Sequence, residues 1–117
     1  MASASEWEAT KVALGPLKEH YRFTQFVNDT GDASTSTLNF RAAYEDDAWG
    51  MWSSGEQNMI LLAWALYGAS DMVNLTELMA HTDNETWTRA IDAILIRRGV
   101  EVDIPAGQWL DKFPAND

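Results

Sequence analysis

The most sharply patterned stretch of the chain runs from Ser53 to Gly68. Ser53 and Glu56 stand at the spacing of a capping box: the serine hydroxyl accepts a backbone amide three residues on, and the glutamate reaches back to the amide of the cap. Residues 59–67 then carry no charge at all, and a helix with no polar face is a buried one. The run is too short to cross a bilayer, which takes about 20 apolar residues. The pattern predicts a central, buried helix over 54–67, with the rest of the chain wrapped around it.

The flanking segments have weaker but readable patterns. Ser5 with Glu8 predicts a helix over 5–14, stopped by Gly15-Pro16. Aromatic and β-branched residues at 21–27 and extended-favouring residues from Thr35 to Phe40 flank the turn-rich segment 28–34, which predicts a small β-hairpin joining 21–27 to 36–43. A helix over 16–27 competes with it, since Leu17, Tyr21 and Phe23 also share a helical face. Further on, Asn74 and Glu77 predict a short capped helix with Leu75, Leu78 and Met79 turned inward. Thr82 and Glu85 form another capping box, opening an amphipathic helix with Trp87, Ala90, Ile91, Ile94 and Leu95 on one face. Arg97 and Arg98 suit the end of that helix and Gly99 closes it. Val100, Val102 and Ile104 alternate with acids as a short strand before Pro105, and Trp109 and Phe113 are expected to dock the tail. The expected architecture is a single α+β domain over 1–117, predominantly helical, with an all-α arrangement as the alternative.

Composition changes this picture in two ways. Six tryptophans, Trp7, Trp49, Trp52, Trp64, Trp87 and Trp109, are spread along the chain, and such large side chains serve either the core or a contact surface. The formal charge is −10, with eight acids against four bases in 1–52 and ten against four in 53–117. An acidic surface repels phosphate backbones and anionic lipid, which disfavours nucleic acid and membrane; the charge suits a basic protein partner, with solubility alone as the other reading. The chain has no cysteine, hence no disulfide and no thiolate metal site. Its first residues lack the basic and apolar regions of a secretory signal, so a cytoplasmic location is expected and the Asn-x-Thr triplets at Asn28, Asn74 and Asn84 carry little weight.

Four groups of residues bear on chemistry. The order helix (58–68), short helix (75–81), amphipathic helix (83–98) and strand (100–104) is that of a winged helix-turn-helix. In that alternative Asn84, Thr86, Thr88 and Arg89 would read bases, although residues 82–99 hold three acids against three bases. Asp29-Thr30-Gly31 spells the triplet of aspartic proteases, but Asn28 and a polar loop replace the apolar residues which precede that aspartate, so a turn is expected. Glu45, Asp46 and Asp47, followed by Trp49 and Trp52, form either a solvated turn or a contact patch with aromatic anchors and an acidic rim. Consecutive acids diverge, so no metal site and no cofactor are expected there. His20 and His81 are outside any metal spacing, and no catalytic residue is assigned. An enzyme would require a cleft in which one of these histidines meets a carboxylate.

The segment 49–99 resembles a group of short uncharacterised proteins of actinobacteria and their phages. The likeness is carried by Trp52-Ser53-Ser54-Gly55-Glu56 leading into Leu61, Leu62, Ala63 and Leu66, then by Leu75, Leu78 and Met79, and then by the helix from Trp87 to Leu95. It implies a phage or actinobacterial origin and a core layout, with no activity. Taken together, the chain reads first as a non-enzymatic acidic protein-binding module, a phage-encoded modulator or inhibitor of a host protein with a basic surface. The alternatives are a winged-helix DNA-binding regulator and an enzyme of unknown chemistry.

Overall fold

Helix formation begins earlier than the Ser5–Glu8 box predicts. The computed structural model, which describes residues 3–68 and 72–99, starts α1 (Ala4–Leu14) from Ser3: the Ser3 hydroxyl accepts from the Glu6 amide and Glu6 returns a carboxylate to the Ser3 amide. Ser3 and Glu6 repeat the same spacing two residues upstream, and Glu8 is left to pair with Lys11 at 3.7 Å. Gly15 ends the helix at a positive φ of 54°, a conformation glycine reaches without penalty.

Between Gly15 and Met51 the chain is built from short pieces. Single-turn 3-10 helices at Gly15–Glu19 and Thr24–Phe26 lead into β1 (Val27–Asn28), which pairs antiparallel with β2 (Thr37–Leu38), Val27 opposite Leu38 and Asn28 opposite Thr37. The hairpin is therefore present but two residues deep, and the competing helix survives only as the two 3-10 turns. Packing sets the limit upstream: Phe23 meets both Phe26 and Trp52 in T-shaped contacts, which draws 21–26 into a turn and a 3-10 helix despite its β-favouring composition. Downstream, Asn39 accepts the Ala42 amide and converts the chain into α2 (Phe40–Glu45). The loop between the strands is knotted around buried Ser36, whose hydroxyl donates to the Asp32 carbonyl and accepts the Thr30 amide. Asp29 accepts the Gly31 amide at 3.0 Å, so Asp29-Thr30-Gly31 is a turn.

A further 3-10 helix, Asp47–Met51, precedes α3 (Ser54–Leu66). The Ser53–Glu56 capping box forms as expected, and Met59, Ile60, Leu62, Ala63, Trp64 and Leu66 are all buried. This helix is the centre of the molecule. α1 lies across it and along α5 (Asn84–Arg97), and the short α4 (Leu75–His81) packs on α3. The described residues make a predominantly helical α+β fold around one apolar core.

Three details of the C-terminal half differ from the pattern. α4 buries Leu78 alone, while Leu75 and Met79 are 58% and 52% exposed, because a two-turn helix touching one neighbour has room for a single inward residue. The cap of α5 is Asp83, which accepts the Thr86 amide at 2.8 Å; Thr82 instead donates its hydroxyl to the Leu78 carbonyl. Finally, the buried positions of α5 are Thr88, Ala90 and Ala93, with Trp87, Ile91 and Leu95 at the margin and Ile94 exposed. Small residues let two helices approach closely, and α1 supplies Ala9 and Ala13 to the same core. The strand expected at 100–104 and the docking of Trp109 and Phe113 lie outside the described residues.

Candidate functional site

Two places gather the residues that the sequence singled out. The first is the acidic corner after α2. Asp46 is spent on structure, its carboxylate accepting the Ala48 amide at 3.1 Å to cap the 3-10 helix. Glu45 and Asp47 stay exposed, and Glu45 lies 3.7 Å from Arg41, an exposed pair worth little by itself. Trp49 is half-buried and meets the Tyr44 ring edge-on at 4.9 Å. Tyr44 and Met51 are 36% and 50% exposed. Trp52 departs from this patch, being 6% exposed and turned inward against Phe23 and His20.

The rings explain where the tryptophans go. One series runs from Trp7 through Tyr67, Phe40, Trp64 and Tyr44 to Trp49, with successive centroids 4.9 to 6.1 Å apart. It carries apolar packing from the core out to the acidic corner, and Arg41 sits over the Trp64 face at 5.6 Å. A second series, Phe26, Phe23, Trp52, His20 and Tyr21, backs the other site. Nothing in residue spacing alone marked Tyr44 as part of the corner; its position next to the acids on α2 was the only available signal.

The second place is a cleft of about 330 Å³ between the end of α1, the start of α3, the end of α4 and the start of α5. Both histidines line it, with Glu56, Asp83, Thr86 and Arg89. His20 accepts the Arg22 amide through Nδ1 at 3.1 Å, which places the proton of its neutral ring on Nε2. His81 bonds through Nε2 to Glu77 at 2.9 Å, one turn back on α4. His81 lines the cleft, but its carboxylate partner Glu77 is not among the lining residues. The Ser53 hydroxyl, on the same lining, accepts the Glu56 amide of the α3 cap.

Arg89 is the unusual member. Its guanidinium lies against Gly15, where a Cβ would come within 2.6 Å of Cζ. Its Nε is buried and has no hydrogen-bond partner, a condition that costs about 1–3 kcal/mol or more for a charged group. Burial pushes the guanidinium below its ordinary pKa, against the opposing pull of Glu85 and Asp83. Asp83 is itself held below the usual carboxylate range by the Thr86 backbone and side chain, so it stays ionised at neutral pH.

The base-reading set is not brought to one face. Thr88 is 7% exposed and donates to the Glu85 carbonyl, and Arg89 is turned into the cleft; Asn84 is exposed at the helix start. Among the described residues no group of three or more metal-ligating side chains converges, and no helix is long and apolar enough to cross a membrane. No known family, curated protein or solved structure matches the chain.

Proposed function

We propose that the protein is a non-enzymatic acidic binding module, and that the corner of Tyr44, Glu45, Asp47, Trp49 and Met51 is the surface it offers to a basic protein partner. The observation that carries this reading is the Tyr44–Trp49 ring pair at the surface margin, flanked by two exposed acids. Aromatic anchors within a polar rim supply most of the binding energy of protein interfaces, and the overall charge of −10 favours encounter with a cationic surface. The resemblance of 49–99 to short actinobacterial and actinophage proteins bears on origin alone; a phage-encoded modulator or inhibitor of a host protein is the form of this proposal that such an origin would suit.

Affinity capture from host lysate with the full tagged chain, at low and at moderate salt, tests the reading. The expected result is one stoichiometric protein with a basic surface, retained less well at the higher salt and lost with Glu45→Lys combined with Asp47→Lys. Recovery of nucleic acid in place of protein would overturn it and favour the DNA-binding alternative through other residues than the dispersed set of Asn84, Thr86, Thr88 and Arg89.

A further inference from the structure

The cleft between the helix ends holds an arginine that Glu85 and Asp83 attract without touching. Arg89 makes no hydrogen bond or ion pair with the described residues, and its buried Nε faces no acceptor. Elsewhere the fold employs such groups: Arg97 bonds both the Leu66 carbonyl and Glu6. Glu56 and Asp83 look into the same opening. Each gives one oxygen to a capping amide, Glu56 to Ser53 and Asp83 to Thr86, and an ionised carboxylate keeps further acceptor sites beyond that bond. Leu17 and Met59 form the apolar part of the wall.

We propose that this cleft binds a small zwitterion of the amino-acid class, with its carboxylate on the Arg89 guanidinium, its ammonium on Glu56 and Asp83, and its aliphatic part against Leu17 and Met59. The planar guanidinium fork matches a carboxylate. Glu56 and Asp83 disfavour a dianion such as phosphate beside Arg89. A simple cation would leave Arg89 with only the longer-range attraction of Glu85 and Asp83. Only a ligand carrying both charges satisfies the arginine and the acids together. The His20 Nε2–H, fixed by the Arg22 amide on the opposite nitrogen, is a further donor at the same opening. The inference is independent of the partner-binding corner, which lies on other residues.

The test is an NMR titration of the full chain with L-leucine, alongside 4-methylpentanoate (the same skeleton without the ammonium), isoamylamine (without the carboxylate) and inorganic phosphate. L-Leucine is expected to shift amides at 15–20, 53–59 and 81–89 saturably at millimolar concentration, with each single-charge analogue about tenfold weaker. Arg89→Gln is expected to abolish the response. Asp83→Asn, which keeps the helix cap, is expected to shrink the preference for leucine over 4-methylpentanoate, and it provides the readout if Arg89→Gln fails to fold. No saturable shift with leucine, equal binding of 4-methylpentanoate, tighter binding of phosphate, or an unchanged preference in Asp83→Asn would each overturn the proposal.

Discussion

At the scale of single residues, positions far apart in sequence constrain one another. Gly15 serves twice, as a left-handed helix end and as the floor under the Arg89 guanidinium. Gly15→Ala is expected to destabilise the protein by about 1–3 kcal/mol in urea denaturation, from backbone strain together with the displaced arginine. Ser53→Ala removes one member of a capping box and is expected to cost about 1 kcal/mol by the same measurement. Glu6, Asp29, Asp32 and Asp83 are all held below their ordinary pKa values, in each case first by a backbone hydrogen bond. A lowered carboxylate contributes stability above its unfolded pKa and loses it as pH falls through the folded one. The urea midpoint is thus expected to decline below about pH 4.5, the ordinary value of Glu6, and Glu6→Gln, which retains the cap geometry, should make that decline shallower. The Ser53–Glu56 box was legible in the sequence because both partners lie within one turn. The seat of Arg89 was not, because Gly15 stands far upstream.

At the scale of elements, legibility followed how much of each element's fate was local. The central helix was readable since every side of it is apolar, so no choice of buried face was needed. α5 was readable in extent but not in face: large apolar residues suggested the inward side, whereas close approach of helices placed Ala90 and Ala93 there. The hairpin was readable in place but not in length, because ring packing of Phe23 with Trp52 and the Asn39 cap took over its outer residues. The α3–α4 junction supplies a prediction against intrinsic propensity. Gly55 lies in the first turn of α3, where alanine would favour the helix, yet a Cβ there would come within 2.5 Å of the His81 carbonyl oxygen. Gly55→Ala is expected to lower the melting temperature; an increase would mean that α4 does not dock as described.

At the scale of the whole molecule, one arginine joins three helices. Arg97 on α5 donates from Nε to the Leu66 carbonyl at the end of α3 and from Nη2 to Glu6 at the start of α1, each at 3.1 Å. Arg97→Lys cannot reproduce both contacts from one compact ammonium and is expected to cost about 1.5–3 kcal/mol. Its partners were hidden from the sequence because Glu6 and Leu66 are distant along the chain. The charge of −10 was legible from composition, and under the proposed function the ring series ending at Trp49 marks where it acts. The most direct measurement of the proposed binding function is capture of a protein partner from lysate, compared across wild type, Met51→Glu and Gly55→Ala. Met51 is exposed at the corner and its substitution leaves the core intact, whereas Gly55→Ala perturbs stability at the contact of α3 with the His81 carbonyl. The account predicts that Met51→Glu loses the partner while Gly55→Ala, below its own unfolding temperature, retains it. Retention by Met51→Glu, or equal loss in both variants, would contradict a binding surface at this corner.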